Sequence, residues 1–155
     1  IERKFLVRGD GWRERADTGT VIAQGYLNTE PARTVRVRRT GEAAWLTIKG
    51  ESRGAERAEF EYTIPPADAD QLLDLCEPTI VRKTRYRLAD GGHTWEIDVF
   101  EGENAPLVLA EVELARADAA VHRPDWLGRE VTADHRFQNA SLSRRPYGAW
   151  PRRER

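Results

Sequence analysis

Six short stretches of the chain place two charged residues two positions apart: Glu2 and Lys4, Arg36 and Arg38, Glu59 and Glu61, Lys83 and Arg85, Glu96 and Asp98, and Glu111 and Glu113. In four of them the residue between is apolar, namely Val37, Phe60, Ile97 and Val112. Side chains two apart on a β-strand share a face, so each pair would line one side of a sheet with its hydrophobe on the other. Any single strand of this kind is what a half-solvated antiparallel sheet shows. Six of them, several committed to one sign, are not. Glu59 repels Glu61 and Arg36 repels Arg38, and like charges crowded on a sheet are destabilising unless something of opposite sign sits between them. The pattern calls for ligands.

If the sheet curls into a barrel, one wall offers Lys4, Arg36, Arg38, Lys49, Lys83 and Arg85, and another offers Glu2, Glu59, Glu61, Glu96, Asp98, Glu111 and Glu113. Fixed cations in this number suit an anion of several charges, and Arg makes bidentate contacts to phosphate oxygens. Polyphosphate is the anion this predicts. The carboxylate wall would repel it, so a hard divalent cation that prefers oxygen ligands, Mg²⁺ or Mn²⁺, must lie between acid and phosphate. His93, His122 and His135 fall outside these faces and read as surface residues. Zinc is disfavoured because the Cys/His set it takes is missing. Neither Gly-x-x-x-x-Gly-Lys nor Gly-x-Gly-x-x-Gly occurs, so side chains rather than a backbone cradle would hold the phosphates.

Such faces need strands to carry them. Runs rich in Val, Ile, Thr, Tyr and Trp predict strands over 2–8, 21–29, 34–39, 44–49, 58–64, 80–88, 94–100 and 108–114, with hairpin turns at Thr40-Gly41-Glu42 and Asp90-Gly91-Gly92. Pro65-Pro66-Ala67-Asp68 opens a helix whose apolar stripe runs through Ala69, Leu72, Leu73 and Cys76 and stops at Pro78. A second helix is expected over 116–121 and a short third from Asn139. The fold class is thus α+β but mainly β. The 155 residues suggest one domain over 1–143, followed by a basic, solvated C-terminal tail over 144–155. Lys and Arg number 25 against 26 Asp and Glu, a balance that argues against duplex nucleic acid as the main partner. No apolar run is long enough to span a bilayer, and the alternating charges of 1–7 do not resemble a secretory signal. The single cysteine, Cys76, excludes an internal disulfide, so a soluble, cytoplasmic protein is expected. The chain holds no Met, which places at least the initiator before Ile1.

In their order along the chain these segments resemble the CYTH superfamily, the triphosphate tunnel metalloenzymes. The resemblance begins at Ile1-Glu2-Arg3-Lys4-Phe5-Leu6-Val7, which is similar to the family's Glu-x-Glu-x-Lys signature with its first Glu falling just before Ile1. It continues through Gln24-Gly25-Tyr26-Leu27, Val35-Arg36-Val37-Arg38, Leu46-Thr47-Ile48-Lys49, Glu59-Phe60-Glu61, Lys83-Thr84-Arg85-Tyr86, Glu96-Ile97-Asp98-Val99-Phe100 and Ala110-Glu111-Val112-Glu113. It closes with 126–132 and with Arg136-Phe137-Gln138-Asn139-Ala140-Ser141-Leu142, where Phe137 stands in place of the family's usual Tyr. The resemblance implies an eight-stranded antiparallel β-barrel tunnel with a few flanking helices, which binds a triphosphate inside and hydrolyses or transfers it with divalent metal.

Carried onto this sequence, the resemblance makes Glu2, Glu111 and Glu113 ligands of the metal, with Glu61 and Asp98 supporting a second metal or its water. Lys4, Arg36, Arg38, Lys49 and Arg85 become phosphate ligands, with Tyr26 and Glu59 behind them and Trp126 in packing. Lys83 is the candidate catalytic residue, orienting or deprotonating the attacking water, since crowding by cations can lower a Lys pKa; as one more phosphate clamp it reads equally well. The implied activity is metal-dependent hydrolysis of inorganic triphosphate. The alternatives are a nucleoside or thiamine triphosphatase or adenylate cyclase of the same fold, or a non-catalytic polyphosphate-binding module. No aromatic or amide cluster beside the charges offers a pocket for a base, and a module that only binds would not need so many strand carboxylates. A lipocalin-like carrier would need an apolar interior.

Overall fold

A computed structural model describes residues 1–155 apart from Ser52, Ala55 and Ala117. Nine antiparallel strands form one sheet: β1 (Glu2–Val7), β2 (Thr20–Asn28), β3 (Arg33–Thr40), β4 (Ala43–Gly50), β5 (Glu59–Thr63), β6 (Glu77–Asp90), β7 (His93–Phe100), β8 (Val108–Glu113) and β9 (Leu127–Glu130). Their order is β5-β4-β3-β2-β6-β7-β8-β1-β9. The eight expected strands are all present. The ninth, β9, is four residues long and broken by Gly128, too short to show alternation, and it is recruited by pairing with β1. Its Gly128 lies so close to β1 that a Cβ would meet the Leu6 carbonyl oxygen at 2.9 Å. With β5 and β9 as its two edges the sheet is curled but not closed by hydrogen bonds into the full barrel expected. Both expected hairpins form, and the one between β6 and β7 turns on Gly91 and Gly92, whose φ of +60° and +81° only glycine adopts without strain.

The outer face carries the main core. Phe5, Trp95, Ile97, Ala110 and Val112 pack there beneath Trp12 and Trp126, which arrive from the segments flanking β1 and β9. Helix α1 (Pro66–Leu75) covers Val37 and Ala44 with Ala69 and Leu73. Val37, Ile97 and Val112 are therefore buried as their parity predicts, but only Val37 lies under a helix; Phe60, on the edge strand β5, is 54% exposed. Among the described residues of 116–121 none is helical, and Ala117 lies outside the described residues.

The concave face is filled at one end by the C-terminal segment. Helix α2 (Asn139–Arg144) brings Leu142 against Val81, Phe100 and Leu109, and Phe137 and Trp150 complete this second core. Residues 144–155 are thus not a solvated tail: Trp150 is 3% exposed, its ring lies 5.1 Å from that of Phe137, and Arg145 pairs with Glu154 at 2.7 Å. The aromatic at 150 outweighs the arginines around it, and Arg136 and Arg145 lay their guanidinium groups over its ring. No helix among the described residues is long and apolar enough to cross a membrane.

Candidate active site

Strand register decides which charges meet. Across the sheet Glu2 faces Glu113, Lys4 faces Glu111, Glu111 faces Glu96, and Arg85 faces Asp98. On the other half Lys83 faces Ile22, Gln24 faces Arg38, Arg36 faces Thr47, and Thr47 faces Glu61. Cross-strand partners share a face, so all six charged pairs of the sequence lie on the concave side. The curl of the sheet then brings distant strands together. One cavity of about 420 Å³ is lined by Lys4 of β1, Tyr26 of β2, Arg36 of β3 and Thr47 and Lys49 of β4, and also by Arg57, Asn139 and Arg144. Among the described residues five cations line it and no carboxylate does.

Between the cations and the acids the contacts are specific. Asp98, 1% exposed, accepts from Lys83 Nζ at 2.7 Å and from Arg85 Nε and Nη2 at 2.7 and 2.9 Å. Burial alone would raise the Asp98 carboxyl, but the two cations override it and hold it at about 2. Lys83 is wholly buried, and burial lowers its pKa against the opposing pull of Asp98. Burial also works against the charge of Arg85, yet Asp98 and Glu96 more than offset it and raise its pKa. Asp98 is therefore placed among cations, where it fixes Lys83 and Arg85. Arg38 gives its Nε to Gln24 Oε1 at 2.9 Å, and burial together with Arg36 and Arg85 lowers it to about 10. Arg36 Nη2 donates to Thr47 Oγ1 at 3.3 Å, while its Nε is buried without a partner among the described residues. Lys49 lies 4.0 Å from Glu59, and burial lowers its pKa.

The predicted metal ligands divide. Glu2 has much of its surface exposed, yet partial desolvation and Glu111, its diagonal neighbour on β8, push its carboxyl up to about 7. The two carboxyls sit within hydrogen-bonding reach of each other, and like charges there cannot both ionise freely. Lys4 Nζ is 3.5 Å from Glu111 and joins this acidic pair to the cation-lined cavity. Glu113 is exposed and paired with the amine of Ile1 at 2.5 Å, and Glu61 sits on β5, accepting from Thr47 Oγ1 at 3.2 Å. Among the described residues no three His, Cys, Asp or Glu side chains converge tightly enough to cage a metal. Two carboxylates forced together are still a fitting donor set for a hard divalent cation, which commonly takes one or two carboxylates and fills its other positions with water and substrate phosphate.

Sequence reasoning did not find Arg57, Arg144, Gln24 or Asn139 in this site. Arg144 was masked by the arginines around it. Asn139 lies within a quoted run but carries no charge parity, and Arg57 lies in a loop where parity has no meaning.

The whole arrangement has known counterparts. Residues 1–147 match the CYTH domain family. Over 148 residues, 95% of this chain and 94% of the relative, the sequence is 45% identical to an inorganic triphosphatase of Acetivibrio thermocellus. It is 40% identical to an inorganic triphosphatase of Nitrosomonas europaea, covering 92% of this chain and 95% of that one. The solved structure of the inorganic triphosphatase NE1496 is similar with a TM-score of 0.75 at 38% identity, covering 92% of this chain and 96% of that chain. With six charged pairs gathered on one concave face and this match over nearly its full length, the chain belongs to the CYTH domain family.

Proposed function

We propose that the protein is an inorganic triphosphatase: it hydrolyses tripolyphosphate to orthophosphate and pyrophosphate in the cavity of its concave face. The observation that carries this reading is the cavity itself, where Lys4, Arg36, Lys49, Arg57 and Arg144 converge with no carboxylate among the described lining residues and the Glu2–Glu111 pair stands beyond Lys4. A chain of phosphates fits the cations, and only its end needs to reach the acids. The names of the relatives agree with it.

Glu2 and Glu111, with Glu113 beside them on β8, would hold Mg²⁺ or Mn²⁺, and a divalent requirement is general among CYTH triphosphatases. When bound, the cation would neutralise phosphate charge and polarise the terminal phosphoryl group. Glu61 and Asp98 remain proposed supports of a second ion or its water, Asp98 acting in addition through the cations it holds. Lys4, Arg36, Arg38, Lys49 and Arg85 bind and orient the phosphate chain, positioning being most of what phosphoryl transfer asks of a protein. Lys83, buried against Asp98, suits orientation of the attacking water better than its deprotonation, since a neutral amine would leave Asp98 less well balanced. The water oxygen bonds to the terminal phosphorus as the bridging P–O bond breaks, pyrophosphate leaves with that bridging oxygen, and the proton of the water passes to a phosphate oxygen. This reading places one domain over 1–143 with 144–155 folded onto it, a small phosphate anion as its partner, and the enzyme in the cytoplasm.

Phosphate release from tripolyphosphate, ATP, thiamine triphosphate and pyrophosphate, each with Mg²⁺, Mn²⁺ or chelator, tests the proposal. Tripolyphosphate with a divalent ion should turn over, and chelator should abolish it. Turnover that survives chelation, or none with tripolyphosphate, overturns the reading.

A further inference from the structure

Asn139, the first residue of α2, touches two things at once. Its Oδ1 accepts from the buried Lys83 Nζ at 3.3 Å, and its side chain lines the cation-rich cavity. An ammonium has three donors and no acceptor, so only the amide oxygen can face Lys83. The Nδ2 hydrogens must then point elsewhere. Among the described residues Nδ2 has no protein partner, and it keeps access to solvent on a residue that lines the cavity. The segment before it is fixed as well: the Phe137 carbonyl accepts from Lys4 Nζ at 3.2 Å, and Phe137 is buried against Trp150. Asn139 is thereby held with its acceptor on a tunnel lysine and its donor toward the substrate space.

We propose that Asn139 is a substrate-binding and positioning residue, its Nδ2 donating to a phosphate oxygen of the bound triphosphate while its Oδ1 holds the Lys83 ammonium. This deepens the proposed function and rests on it for the identity of the anion. It places Asn139 as an uncharged donor among the cations of the cavity, and it couples anion binding to the placement of a lysine that does not itself line the cavity.

Two variants separate the two ends of the amide. Asn139→Asp keeps an acceptor for Lys83 but loses the donor and adds a negative charge toward the anion. Asn139→Leu loses both. A hydrogen bond to a charged group is worth about 1.5–3 kcal/mol, or roughly ten- to a hundredfold. The Michaelis constant for tripolyphosphate should therefore rise at least tenfold in both variants, with kcat falling further in Asn139→Leu than in Asn139→Asp. As a second readout, tripolyphosphate added in chelator should raise the melting temperature of the wild-type protein more than that of Asn139→Asp, which also carries the test if Asn139→Leu does not fold. An unchanged Michaelis constant and an equal thermal shift in Asn139→Asp overturn the inference even where the wild-type protein hydrolyses tripolyphosphate. If the wild-type protein does not hydrolyse it, the proposed function fails, and the thermal shift alone decides: a larger shift in the wild-type protein upholds Asn139 as an anion donor, and equal or absent shifts overturn it.

Discussion

Asp98 accepts from two cations while almost fully withdrawn from water, and its removal should show how much of the site is electrostatic scaffold. Asp98→Asn leaves Lys83 buried without its counter-charge, and breaking a buried pair from one side costs about 3–5 kcal/mol. Chemical denaturation should report a loss of that size. The sign with pH follows from a carboxyl held at about 2 against an ordinary 3.8: its stabilisation is present above 3.8 and is lost as pH falls from there toward 2. Asn at this position should flatten that acid limb. Glu2 runs the other way. Raised from 4.5 to about 7, it stabilises the fold below 4.5 and loses that contribution as pH rises through 7. Glu2→Gln should remove the downward slope in stability between those values, measured without divalent ions; an unaltered slope would mean that Glu2 and Glu111 do not confront each other. Glu111→Gln, one atom changed, should lose most of the turnover at saturating metal.

Among the elements, the C-terminal segment links core to site. Trp150 packs edge-on to Phe137 and tilted against Tyr147 with ring centroids at 5.1 and 5.0 Å, and the Phe137 carbonyl in turn accepts from Lys4. Trp150→Ala should destabilise by about 3–5 kcal/mol, the usual cost of emptying a buried large aromatic site. It should also weaken tripolyphosphate turnover at temperatures where the protein stays folded, because the lining at Asn139 and Arg144 is set by the same packing. Full activity in a folded Trp150→Ala protein would uncouple the two. This segment is also where sequence reading fell short. The strands were legible because period-two alternation survives in isolation: Val37 and Ile97 announce a buried face and Arg36 and Asp98 the other. Helix α1 was legible from Pro66 and its apolar stripe. Trp150 among arginines has no periodicity, and β9 exists only because β1 has a free edge to offer. Arg57 and Asn139 enter the site through curvature and helix placement, which no local pattern encodes.

For the whole molecule, near-zero net charge conceals strong separation: cations line the cavity and acids gather beyond Lys4, while Asp98 is tied to Lys83 and Arg85 of β6. That distribution predicts substrate preference. The lining addresses phosphate through Lys4, Arg36, Lys49, Arg57 and Arg144, and apart from Tyr26 its described residues present no aromatic ring on which a base could stack. Tyr26 is itself committed: burial raises its pKa, and Arg36 and Arg38 crowd its hydroxyl. A nucleoside attached to the triphosphate should therefore add little binding while obstructing one end of the chain. Pyrophosphate fails for the opposite reason, being too short to reach from the cations of β3 and β4 to the carboxylates of β1 and β8. Selectivity of this kind is a difference in transition-state stabilisation, and about 1.4 kcal/mol suffices for tenfold. The specificity constant for tripolyphosphate should exceed those for ATP and pyrophosphate by at least that factor, measured side by side with the same divalent ion. A value for ATP equal to or above that for tripolyphosphate would mean that the molecule reads the base after all, and would shift its assignment to a nucleotide triphosphatase of the same fold.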